Sequence, residues 1–106
     1  MDLVQNVKFV KLFEIYANTL TEKQRQVFQL SVLSDLSLGE VSSLLNISRQ
    51  AVKYTLDNAV NAMLKLEEEL QILAKFEQLK KQLVSIQNST NDNEIKTKIN
   101  DILEGI

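Results

Sequence analysis

Apolar residues recur at helical spacing along most of the chain. From Leu3 to Ala17, Val4, Val7, Phe9 or Val10, Phe13, and Tyr16 or Ala17 fall on one side of a helix. That spacing predicts an amphipathic helix whose aromatic stripe supports a core. Leu20 leads into Thr21-Glu22-Lys23-Gln24, a capping-box pattern, and a second helix is predicted through about Leu33 with Val27, Phe28, Val32 and Leu33 inward. Ser34, Asp35 and Leu36 form a link.

The stretch from Ser37 to Ala59 reads as two helices separated by a short, rigid turn. Ser37 and Glu40 make a second capping box, and Leu38, Val41, Leu44 and Leu45 give the first of these helices one apolar stripe. Asn46 is suited to the left-handed conformation that ends a helix, and Ile47 supplies the apolar contact beyond it. Ser48 restarts the chain as an N-cap. Ala51, Val52, Thr55, Leu56, Ala59 and Val60 then turn inward, which leaves Arg49, Gln50, Lys53, Tyr54 and Asp57 outward. This is the pattern of a helix-turn-helix. In the DNA-reading form, residues at the start of the second helix touch base edges, and Arg49, Gln50 and Lys53 are chemically suited to that.

No helix breaker stands between Ser48 and Asn88, so the second motif helix is expected to run on without interruption. Leu56, Ala59, Met63, Leu66, Leu70 and Leu73 alternate steps of three and four, as a coiled-coil seam does. The seam then passes to Phe76, Leu79, Leu83 and Ile86, where two successive steps of three break the heptad and suggest a kink or a partner of changing direction. Met63, Leu66, Leu70, Leu73, Phe76, Leu79 and Leu83 are therefore candidates for a partner or dimer seam. Asn88 to Asn93, the sequence NSTNDN, reads as a polar linker. Ile95, Ile99, Ile102 and Leu103 mark a short acidic amphipathic helix ending at Gly105, free to fold back, swap or stay partly disordered. The organisation expected is a helical unit over 1–87, a linker over 88–93 and a short helix over 94–106.

Composition narrows the chemistry. At 106 residues, with 2 glycines and no proline, the chain suits one largely helical core. There is no cysteine and no histidine, which removes thiol nucleophiles, disulfides, zinc-finger ligands and Ser-His triads. There is no Gly-rich phosphate loop. Nothing in the sequence marks it for export or the membrane, so a cytoplasmic, non-enzymatic protein without cofactor, metal or small-molecule substrate is expected. Glu67-Glu68-Glu69 and Lys80-Lys81 read as solvated helix faces, because neighbouring helical positions diverge.

Charge bears on nucleic-acid binding. The formal net charge is −2, and residues 21–62 balance to zero: Lys23, Arg25, Arg49 and Lys53 against Glu22, Asp35, Glu40 and Asp57. A single copy is thus expected to bind duplex DNA weakly, since phosphate neutralisation supplies most non-specific affinity.

Two stretches carry a family resemblance. LTEKQRQVF, followed by LSLGEVSSLLNISRQAVKYTL, resembles the YlxM-like proteins, whose core is similar to region 4 of bacterial sigma-70 factors. The helix continuing through LEEELQILAKFEQLKKQL resembles theirs too, and the likeness spans roughly residues 8 to 83. The resemblance implies an all-α fold: a sigma-70 region 4-like or winged-helix-like DNA-binding core, a long helix and a short terminal helix. It further implies a regulatory role and an association with the signal recognition particle pathway. Carried onto this sequence, it puts Ser48, Arg49, Gln50, Lys53 and Tyr54 at a nucleic-acid face; in a nucleic-acid-binding reading, Lys23 and Arg25, on the helix before the motif, hold phosphates with Lys53.

Two functional expectations follow. One is a regulator binding DNA, or RNA, through the second motif helix. The other is an interaction module that docks the signal recognition particle GTPase or its RNA complex through the long helix, without binding DNA. The length of the seam also suggests a homodimer.

Overall fold

Four helix starts in this chain are set by the side chains of Thr21, Ser37, Ser48 and Asp92, which replace missing backbone partners. The computed structural model describes residues 3–106, with side chains from Gln5 onward; Val4, the first residue of the expected stripe, lies outside the described side chains. Among the described residues there are six α-helices and no strand: α1 (Leu3–Tyr16), α2 (Glu22–Phe28), α3 (Leu38–Leu45), α4 (Arg49–Leu70), α5 (Ile72–Ser89) and α6 (Asn93–Glu104). The fold is all-α, and without a strand the described residues form no wing.

Both expected capping boxes are present. Thr21 Oγ1 accepts from the Gln24 amide while Gln24 Oε1 accepts from the Thr21 amide. Ser37 and Glu40 repeat the exchange at 3.1 and 3.0 Å. Four backbone donors at each helix start lack an intrahelical acceptor, and each box satisfies two of them, those of the capping residue and of the residue three positions on.

The first body ends at Leu70. Its core is Leu12, Phe13 and Tyr16 from α1, Val27 and Phe28 from α2, Val41 from α3, and Val52, Leu56, Ala59, Val60 and Met63 from α4. Phe13 and Phe28 stack with ring centroids 4.4 Å apart. The buried row of α1 includes Leu12, which the expected stripe omitted, whereas Val7 is exposed. After Phe28 the helix widens into one π turn, Gln29–Leu33, closed by the Ser34 amide on the Gln29 carbonyl. The chain leaves through Asp35, at φ 54°, and the Leu36 amide reaches back to the Leu30 carbonyl. Val32 is half-buried, and Leu33, where the turn runs out, is exposed rather than inward. On α3 the buried row is narrower than expected. Val41 is buried and Leu45 half-buried, whereas Leu38 and Leu44 are 37% and 64% exposed.

The expected unbroken helix is interrupted at Gln71, which takes φ 54° and ψ 33°. An L-residue in that conformation is strained, and Glu67, Glu68 and Glu69 near the carbonyl end of α4 oppose the helix dipole. Two local terms therefore act against the break, and neither announces it in sequence. The second body begins at Gln71 and is a helical hairpin of α5 and α6. The polar linker is shorter than 88–93: Asn88 and Ser89 complete α5, and Thr90, Asn91 and Asp92 make the turn. Asp92 caps α6 by accepting from the Glu94 and Ile95 amides. Of the three arrangements open to the terminal helix, α6 folds back on α5. Ile99 is buried there, and Gln87 Nε2 donates to the Lys96 carbonyl and to Asn100 Oδ1.

Candidate nucleic-acid interface

The turn between α3 and α4 is what aims the start of α4. Asn46 adopts φ 55° and ψ 46°, and both its own amide and that of Ile47 bond the Ser42 carbonyl. The Ser42 hydroxyl in turn donates to the Ile47 carbonyl. The chain therefore leaves α3 in one fixed direction, the closure characteristic of a left-handed helix end. Ser48 then caps α4, its Oγ accepting from the Ala51 amide at 3.0 Å.

Downstream of that cap the helix sorts its residues as the periodicity predicts. Val52, Leu56, Ala59 and Val60 are buried, while Arg49, Gln50, Lys53, Tyr54 and Asp57 are exposed. Steps of three and four place these five on one outward face. Tyr54 is 71% exposed, an unusual position for a phenol ring with no packing neighbour to cover it. Lys53 Nζ lies 3.2 Å from Asp57 Oδ2, an exposed i,i+4 pair whose net worth is small. A phosphate can compete for Lys53 on those terms.

Arg49 is not extended into solvent along this face. Its guanidinium lies against the first turn of α3, over Gly39, at one side of an open cleft lined by Leu36, Ser37, Gly39, Glu40, Ser43 and Leu44. Glu40 shares that cleft. Bonds from the Ser37 backbone amide, then from the Ser37 side chain, hold its carboxyl below its ordinary pKa. The sequence reading did not single out Gly39. The one signal it offered was a glycine in the first turn of a helix, where other residues are favoured.

On α2, Lys23 is exposed and Arg25 half-buried. Two residues apart on a helix is about 200° of rotation, so these two cations do not share a face. The seam residues are likewise divided. Met63 is fully buried beside Ala59 and Val60 and offers nothing to a partner; Leu66 is half-buried and Leu70 is 47% exposed. On α5, Leu73 and Leu83 are half-buried, and Phe76 and Leu79 are 39% and 42% exposed. Glu67, expected on a solvated face, accepts a hydrogen bond from Tyr16. No described helix is long and apolar enough to cross a membrane.

Comparison with known proteins agrees with this geometry. Residues 3–102 match a family profile, UPF0122, described as "helix-turn-helix protein, YlxM / p13 like". A UPF0122 protein of Thermoanaerobacter sp. (strain X514) is 38% identical over 102 residues, covering 90% of this chain and 87% of its own. One from Oceanobacillus iheyensis is 38% identical over 88 residues, covering 83% and 84% of the two chains. A third, from Mycoplasma capricolum, is 34% identical over 96 residues, covering 91% and 81%. These matches span both bodies of the fold, and the chain belongs to the UPF0122 family of YlxM / p13-like helix-turn-helix proteins.

Proposed function

We propose that this protein is a cytoplasmic helix-turn-helix regulator that binds nucleic acid through the first turns of α4. Arg49 and Gln50 meet base edges, Lys53 holds phosphate with help from either Lys23 or Arg25, which point to different sides of α2, and Ser48 and Tyr54 flank the contact. The observation that carries this reading is the joint exposure of Arg49, Gln50, Lys53 and Tyr54 on a helix launched from a rigid left-handed turn. The motif named in the family description supports it. The resemblance supplies the setting, the signal recognition particle pathway, with particle RNA as the alternative ligand to duplex DNA.

Charge sets the expected strength. With residues 21–62 neutral overall, one copy binds weakly and a homodimer or a protein partner supplies the rest. The test is titration of the purified protein against labelled duplex DNA and particle RNA at two salt concentrations. Lys53→Glu is expected to weaken binding to all sequences and flatten the salt dependence, while Arg49→Ala mainly relaxes base preference. Unchanged affinity in both variants overturns the reading.

A second reading draws on the exposure of Leu70, Phe76 and Leu79. Here the apolar rows of α4 and α5 dock a protein, the particle GTPase or its RNA complex, and nucleic acid alone is not bound. Salt-tolerant capture of the GTPase, abolished in a folded Leu79→Glu variant while duplex DNA stays silent, favours it over the first.

A further inference from the structure

We propose that Gly39 is a positioning residue for Arg49: the missing side chain on α3 forms the slot that holds the Arg49 guanidinium beside the motif turn. A Cβ built at Gly39 would meet Arg49 Nη2 at 2.9 Å, and Cζ and Nε at 3.2 Å each. All three are guanidinium atoms, so the close approach is to the functional end of the side chain and not to its stem. Backbone conformation does not explain this glycine, because no glycine among the described residues has positive φ. Alanine would suit the first turn of α3 better than glycine does. The three atoms nearest to this position all belong to Arg49.

The slot limits the freedom of a long side chain at the start of the proposed reading helix. An arginine confined in this slot has less rotamer freedom to lose on binding, and its planar fork retains its directional donors. Gly39 thus acts on binding without touching the ligand. This inference rests on the nucleic-acid reading for its effect on affinity, although the slot itself exists in the free protein.

Gly39→Ala is the direct test, because the atoms nearest to the added methyl are the far end of a flexible side chain. The variant is expected to fold, with a Tm equal to or above that of the parent. In the free protein, ¹⁵N relaxation at Arg49 Nε is expected to show lower order in the variant. Affinity for a fluorescein-labelled mixed-sequence DNA duplex is expected to fall by about three- to tenfold. In an Arg49→Ala background, Gly39→Ala is expected to change nothing further, since it acts only through Arg49. Unchanged Nε order overturns the proposal, as does an equal loss of binding with and without Arg49, or tighter binding in Gly39→Ala. If the parent binds neither the duplex nor particle RNA, or Arg49→Ala changes neither affinity nor base preference, the nucleic-acid reading fails, and the Nε measurement still decides the slot.

Discussion

Tyr16 Oη donates a 2.8 Å hydrogen bond to Glu67 Oε1, fastening the end of α1 to the far part of α4 across 51 positions of sequence. The Tyr16 ring is buried, so its hydroxyl needs a partner, and a carboxylate is a stronger acceptor than a neutral oxygen. Tyr16→Phe keeps the ring and removes the donor. It is expected to destabilise the fold by about 1–2 kcal/mol, the lower part of the range for charged acceptors because Glu67 is only half-buried. Urea unfolding checks this, and a change within error would mean that solvent replaces the bond without cost.

Phe28 and Leu44 test where the core lies. Phe28 is fully buried and stacked on Phe13, whereas Leu44 is largely exposed despite its place in an apolar pattern. Phe28→Ala is expected to cost about 3–5 kcal/mol and Leu44→Ala less than about 0.5. Comparable losses at both positions in denaturant titrations would mean that α3 packs in a different rotation.

How much of this was legible in sequence depended on the range of the interaction. Capping boxes, the left-handed Asn46 and the outward set Arg49, Gln50, Lys53 and Tyr54 follow from residues within four positions of one another, and the sequence carries their rules explicitly. Register against neighbouring helices is set by tertiary packing, which is why Leu12 was omitted and Leu33 and Leu44 were placed inward. The Tyr16–Glu67 bond and the Gly39–Arg49 approach join residues distant in the chain, and an acid run or a single glycine gives no hint of its partner. Gln71 is the hardest case. Glutamine is an ordinary helix former, and its left-handed backbone has no local cause.

That conformation gives Gln71 an unusual mutational signature. Glycine in an uninterrupted helix costs about 1 kcal/mol relative to alanine. At φ 54° the preference inverts, because glycine enters the left-handed region without steric cost and alanine does not. Gln71→Gly is therefore expected to be more stable than Gln71→Ala, by about 0.5–1 kcal/mol. The opposite order in paired melts would mean that α4 and α5 are one helix in solution.

The Glu40 cap gives α3 a defined acid dependence. Its carboxyl pKa is lowered in the fold, first by the Ser37 backbone amide and then by the Ser37 side chain. A lowered carboxylate stabilises the folded state above its unfolded pKa, and that contribution fades as pH falls through the folded value. Carbon-detected NMR titration is expected to place Glu40 below the ordinary glutamate value and to move it upward in Ser37→Ala. Loss of the Ser37 cap is also expected to cost about 1 kcal/mol. Glu40→Gln retains the box geometry and is expected to remove this part of the acid dependence. A Glu40 midpoint unmoved by Ser37→Ala would leave the lowering to the Ser37 backbone amide alone, with no part for the side chain.

Asp57 bears most directly on how the proposed interface meets nucleic acid. It pairs with Lys53 on the same exposed face, so it both occupies a cation and presents like charge to an approaching phosphate. Substituting asparagine removes both effects and shifts residues 21–62 from neutral to a net charge of +1, four cations against three anions. The pair is exposed, so folding stability is expected to change by less than about 0.5 kcal/mol. Affinity for duplex DNA is expected to rise several-fold at low salt, and the salt dependence to steepen by about one counterion, as expected for one additional effective cation. Lys53→Glu alone should act in the opposite direction. In the double variant Lys53→Glu, Asp57→Asn, removal of Asp57 should no longer steepen the salt dependence, because the cation it frees is gone. Should Asp57→Asn leave both affinity and salt slope unchanged, the outward face of α4 is not where nucleic acid binds, and the apolar row of α4 and that of α5 become separate surfaces to test.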